Sequence, residues 1–117
     1  MQVTIRAERS VALVMIVGSV DSLTAGDLQT AMADAVQKGQ TRLVADFSGV
    51  EYTSSAGLRV ILATVKELRQ KGGDLRIASV RPHVLRVLEA SGLTSILKLF
   101  PDADAALTSF VSRGRVA

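Results

Sequence analysis

The chain contains no cysteine and no tryptophan, and its 117 residues include only one histidine, two prolines, one tyrosine and three phenylalanines. Without cysteine there is no disulfide framework, no thiolate metal site and no cysteine nucleophile, and a cytoplasmic home is the expectation. The lone imidazole, His83, rules out a histidine-based metal cluster. It follows Pro82 at a helix start, where a surface or capping role is expected rather than a catalytic one. No Gly-x-Ser-x-Gly elbow and no phosphate-binding glycine-rich loop occurs, and the acidic residues are scattered rather than paired. The expectation is therefore a protein that is not an enzyme and that carries no metal and no cofactor.

Long apolar runs are also missing: none approaches the ~18 residues of a membrane span, so no membrane insertion is expected. Arg6 and Arg9 ahead of Val11–Val17 have the outline of a minimal secretory signal. A run that short, bounded by turn residues, is better explained as a buried strand closed by Gly18. Lys and Arg number 14 against 11 Asp and Glu, for a formal charge of +3 and a pI near 9.8. These cations are spread over every element and never interleaved with aromatics, so they form no stripe or stacking platform, and direct nucleic-acid binding is not expected.

What the chain does contain is aliphatic. Hydrophobic residues make up 48% of the sequence, almost none of them aromatic, and Val, Leu, Ile and Ala in alternating and helical patterns pack as helices on a sheet. One domain is expected over residues 1–112, with 113–117 as a frayed tail. Val3 and Ile5 alternate with polar residues in a first strand, Ser10 makes a tight turn, and Val11–Val17 forms a more buried second strand.

Leu28, Ala31, Met32, Ala35 and Val36 fall at helical spacing in a helix from Ser22 to about Gln37, with Ser22 or Thr24 as N-cap candidates and Gly39 as the stop. Leu43-Val44-Ala45 gives a core strand ending at Asp46. A helix after Ser55 aligns Leu58, Ile61, Leu62, Val65 and Leu68 on one face before Gly72-Gly73. Leu75–Ala78 is the next strand, Pro82 opens a third helix that ends at Gly92, Ile96–Phe100 forms a last short strand, and Asp102 caps a final helix. The pattern predicts an α/β fold: a mixed central sheet of four to five strands covered by about four helices, with the first two strands antiparallel and the later ones joined by helical crossovers.

The most informative stretch runs from Asp46 to Leu58, Asp-Phe-Ser-Gly-Val-Glu-Tyr-Thr-Ser-Ser-Ala-Gly-Leu: a strand end, a polar loop, then serines opening a helix. Serine there reads two ways. As a cap it contributes ~1 kcal/mol with no signalling role; as an acceptor it sits where backbone N–H groups and the helix dipole welcome a phosphate. Asp46 and Ser48 are expected to tie down the loop through side-chain to backbone hydrogen bonds.

This stretch resembles the phosphoacceptor loop of bacterial anti-sigma factor antagonists, the STAS domains, in which a strand ending Asp-x-Ser precedes an Asp-Ser-Ser/Thr-Gly-Leu helix start. Gly18-Ser19-Val20-Asp21 with Ala25, Lys71-Gly72-Gly73, Ser91-Gly92-Leu93 and the tail from Phe100 to Leu107 agree with the family in order and spacing. The resemblance implies a single STAS domain that binds an anti-sigma serine kinase when unphosphorylated, frees the sigma factor, and is switched off by phosphorylation. A serine phosphatase would reset it. The implied acceptor is Ser55, with Ser54 and Thr53 as alternatives, and the implied partner-binding residues are Asp21, Ser54, Ser55, Ala56, Gly57 and Arg59.

Asp21 has a competing reading as a carboxylate that stabilises the first helix, and Arg59 as a plainly solvated side chain. The sequence departs from the family at Ser54, where Asp is usual, and at Ser19, where an acidic residue commonly follows the glycine. Two other functions stay open: a structural STAS module assembling with itself or other STAS proteins, and a STAS domain that binds a small ligand or nucleotide. A monomer or weak homo-oligomer is expected.

Overall fold

The first two strands meet through a turn that the sequence concentrates in Arg9 and Ser10. Strand β1 (Gln2–Glu8) pairs antiparallel with β2 (Val11–Val20), Glu8 opposite Val11. Arg9 and Ser10 have φ of 55° and 67°, the left-handed pair that a two-residue hairpin turn matched to strand twist requires. The computed structural model describes residues 1–111; the expected domain end at residue 112 and the tail beyond it lie outside them.

After β2 the chain alternates. Helix α1 (Ala25–Gln37) leads to β3 (Arg42–Thr53), α2 (Ser55–Gln70) to β4 (Asp74–Ala78), and α3 (Pro82–Ala90) with a 3-10 turn (Leu93–Ser95) to β5 (Leu99–Phe100), before α4 (Ala103–Val111). The five strands lie in the order β1-β2-β3-β4-β5, antiparallel only between β1 and β2. This is the expected mixed sheet with helical crossovers. Asp102 caps α4 by accepting the Ala105 N–H at 2.8 Å.

One face of the sheet, carrying Val14, Ile16, Leu43, Ala45, Leu75 and Ile77, packs against Leu28 and Met32 of α1, Ile61, Val65 and Leu68 of α2, and Val84 and Leu88 of α3. The opposite face presents Val11, Leu13, Val44 and Ala78 to Ala106 and Leu107 of α4. At the lower edge the buried Asp74 carboxylate receives Arg69 Nε at 2.9 Å, Arg76 Nε at 3.1 Å and the Leu75 N–H at 2.9 Å. Arg76 also lies 4.0 Å from the centroid of the Phe110 ring, so one carboxylate ties α2, β4 and α4 together.

The structure corrects several boundaries. Strand β2 does not close at Gly18 but runs to Val20, and β3 does not end at Asp46 but runs to Thr53. Phe47, Val50 and Thr53 are buried, which holds the segment against the core. Two register shifts, at Met15/Val17 and Gly18/Ser19, absorb the irregular polar positions as bulges. Gly49 makes this possible, since a Cβ there would stand 2.9 Å from Val17 Cγ2 and 3.0 Å from the Ile16 carbonyl oxygen. Helix α1 begins at Ala25 rather than Ser22, with Thr24, the second of the two candidates, at the N-cap, because side-chain hydrogen bonds hold Asp21 to Thr24 in a turn. The last strand is confined to Leu99–Phe100; Leu93 and Leu97, both buried four residues apart, coil the chain before it can extend.

Candidate functional site

Strands β2 and β3 run parallel, so their C-terminal ends emerge side by side, and the loop Asp21–Thr24 comes to lie next to the start of α2. The Ser54 N–H donates to the Val20 carbonyl at 2.8 Å, joining the two segments directly. Within the loop, Asp21 Oδ1 accepts the Leu23 N–H at 2.9 Å and the Thr24 N–H at 3.2 Å, while Thr24 Oγ1 donates to the Ser19 carbonyl at 2.9 Å. The Asp21 carboxylate is thus engaged in shaping the turn ahead of α1. These bonds fix where Asp21 and its neighbours stand.

The hydroxyls at the head of α2 differ sharply. Thr53 is 4% exposed, and its hydroxyl donates to the Ser54 carbonyl at 3.3 Å. Ser54 occupies the N-cap with extended backbone, yet its side chain makes no capping hydrogen bond, and Oγ is buried without a partner. Ser55, the first helical residue, is exposed. Of the three candidate acceptors, Ser55 alone is exposed. No acidic residue lies in the first turn of α2, so the helix itself supplies no carboxylate to its dipole and orphan N–H groups.

Ala56 is half-buried, Arg59 is exposed and Gly57 is buried. A Cβ on Gly57 would stand 2.6 Å from Thr53 Oγ1 and 2.7 Å from Val20 Cγ1, so the small residue at this position lets α2 sit close on the end of β2. Ala25 and Gly26 of α1 face Ala56 and Arg59 across an open groove of about 320 Å³. A larger depression of about 680 Å³ lies farther along the two helices, bordered by Asp34, Gln37, Glu67 and Lys71, away from the serines.

Asp46 behaves as expected, its Oδ1 accepting the Ser48 N–H at 2.9 Å, whereas Ser48 takes part through its backbone. The Ser48 carbonyl in turn accepts Arg81 Nε at 2.9 Å, and His83 Nε2 contacts the Glu51 carbonyl, so the start of α3 braces the outer half of β3. His83 is therefore a bracing residue at the surface. Among the described residues no group of three or more histidines and carboxylates could hold a metal, and no helix is long and apolar enough to cross a membrane.

Two residues beside the site escaped the sequence reading. Leu23 is 88% exposed in the loop after β2, and Tyr52 is 52% exposed near the end of β3. Leu23 had a legible signal, an apolar side chain inside the polar turn Asp21-Ser22-Leu23-Thr24 at no helical or strand period. Tyr52 had none, because strand alternation breaks at the bulges.

Comparison with known proteins agrees with this fold. The STAS domain family model matches residues 2–106. The chain is 42% identical over 93 residues to BtrV of Bordetella bronchiseptica, covering 80% of each protein. It is 34% identical over 116 residues to RsfB of Mycobacterium tuberculosis, an anti-sigma-F factor antagonist, covering 97% of this chain and 92% of that one. The Bacillus cell fate determinant SpoIIAA, solved in its phosphorylated form, superposes with a TM-score of 0.73 at 17% identity, covering 93% of this chain and 99% of that one.

Proposed function

The chain belongs to the STAS domain family, and from that premise we propose that it is a cytoplasmic anti-sigma factor antagonist. In this reading the unphosphorylated protein binds an anti-sigma serine kinase and so releases the sigma factor. The kinase then transfers the γ-phosphoryl group of ATP to Ser55 Oγ, the hydroxyl proton leaves, ADP departs, and binding ends. A serine phosphatase restores the free hydroxyl.

The observation that carries the proposal is the exposure of Ser55 at the first position of α2, beside the buried hydroxyls of Thr53 and Ser54. A phosphoserine here carries about −1.5 to −2 charges and lies against a partial positive charge, so the fold tolerates it. A partner seated on the same surface does not, since it would bury an unpaired dianion. Leu23, Ser55 and Arg59 supply the accessible part of that surface; Asp21, Ser54 and Gly57 hold it in shape, and Ala56 lines its groove.

The direct test is incubation with anti-sigma kinases of the source organism and ATP, followed by mass spectrometry. Phosphate on Ser55, absent from the Ser55→Ala protein, is the expected result. If no kinase modifies Ser55, Ser54 or Thr53, the switch is wrong and the scaffold reading takes its place. Light scattering would then detect a stable assembly of this chain alone.

A further inference from the structure

Arg59 stands four residues after Ser55 on α2, and both are exposed. Among the described residues Arg59, like Arg9, Arg42 and Arg86, takes part in no ion pair and no side-chain hydrogen bond, whereas Arg6, Arg69, Arg76 and Arg81 are engaged. Side chains on a helix lean toward its N-terminus, so the Arg59 side chain is within reach of the turn that begins at Ser55. Residues at this spacing are neighbours about 5–6 Å apart at Cβ, and an anion N-terminal to a cation is the favourable order. Beneath them lie Ala56 and, across the groove, Ala25 and Gly26, small residues that leave the guanidinium room to move.

We propose that Arg59 is a positioning residue of the switch: once Ser55 is phosphorylated, the Arg59 guanidinium forks onto two phosphate oxygens and holds the group against the head of α2. Two features prepare the place. The first turn of α2 has no acidic residue to claim Arg59, and the N-cap is Ser54, whose hydroxyl is buried rather than a carboxylate competing for the same cation. Phosphorylation then alters the surface twice, adding a dianion and withdrawing the only exposed cation of this turn from any partner. That consequence rests on the proposed function, but the contact between Arg59 and the phosphate does not.

The experiment therefore installs phosphoserine at position 55 by genetic encoding, without a kinase, and follows the phosphorus NMR shift against pH in the full chain. The second phosphate ionisation of phosphoserine lies near pH ~6 in the absence of neighbours. In the parent it is expected below that of a short phosphopeptide of the same sequence. Arg59→Gln should raise it by about 0.3 unit or more and Arg59→Lys by less, because an ammonium keeps the charge without the fork. Lys66→Gln, which removes a more distant cation of the same helix, should leave it in place.

A titration identical in the parent and Arg59→Gln would overturn the proposal, as would an equal shift from Lys66→Gln, which would reduce the effect to net charge. Failure of every kinase to modify Ser55 would instead remove the switch and leave these curves standing.

Discussion

The Ser54 N–H reaches the Val20 carbonyl at 2.8 Å, and Gly57, three residues on, lies so close to the same Val20 that a Cβ would stand 2.7 Å from its Cγ1. One residue at the end of β2 thus fixes both the cap and the first turn of α2. The position of Ser55 is set by the cap bond and packing on either side of it, with no hydrogen bond of its side chain.

Gly57→Ala should consequently act through the fold. Its methyl group would also meet Thr53 Oγ1 at 2.6 Å, and both neighbours are buried. Overpacking of this kind costs about 1–3 kcal/mol. Denaturant unfolding should register the loss, and stability equal to the parent would show that α2 slides off Val20 at no cost.

Ser54→Asp should have the opposite sign. The N-cap backbone is already extended, the present hydroxyl makes no cap bond, and the first turn holds no acidic residue. A carboxylate there can accept from the first-turn N–H groups and complement the dipole, for a gain of about 0.5–1 kcal/mol. Thermal unfolding at neutral pH is the measurement, and a lower midpoint would mean that the buried side of the cap admits no charge.

Much of this molecule was legible beforehand because its elements are locally consistent. Leu58, Ile61, Val65 and Leu68 repeat at helical spacing, Arg9-Ser10 separates two apolar runs, and glycines stand after the helices. The reading failed where the cause lies in another strand. The extension of β3 to Thr53 depends on a bulged register with β2 and on Gly49 nestling against Val17, which no local pattern in Asp46–Thr53 announces. Ser55 is the proposed acceptor through the resemblance in spacing to the family. Its exposure, and the burial of Thr53 and of the Ser54 hydroxyl just before it, belong to the packing around Val20.

Leu23→Ser should separate binding from stability. A side chain 88% exposed contributes little to the core, so the stability change should stay within about 0.5 kcal/mol. An apolar residue standing free in the loop that adjoins the start of α2 has the character of an interface anchor, and truncation of such anchors costs more than ~1 kcal/mol, or roughly fivefold or more in affinity. Titration calorimetry with the anti-sigma partner checks it. Unchanged affinity would place the docking surface elsewhere.

Asp74→Ala, far from the site, serves as the contrasting case. The carboxylate is 5% exposed and accepts from both Arg69 and Arg76. Its removal leaves the Arg76 guanidinium, with 15% of its side chain exposed, without a counter-ion. Breaking a buried pair in this way costs about 3–5 kcal/mol. Unfolding should shift strongly, while any folded fraction keeps its affinity for the partner.

The sharpest test of the surface is the pair Ser55→Asp and Ser55→Ala. Aspartate at the first helical position lies with the dipole, worth about 0.3–1 kcal/mol, and the side chain is exposed, so the protein should melt no lower than the parent. Once a partner covers the head of α2, the same carboxylate becomes a buried charge without a counter-ion, and affinity should fall. Alanine removes the acceptor without adding charge; it should bind as the parent does and resist inactivation by kinase and ATP. Stability and affinity thus move apart in the aspartate protein and stay together in the alanine one. Equal affinity of the two variants would show that the partner does not cover this helix start.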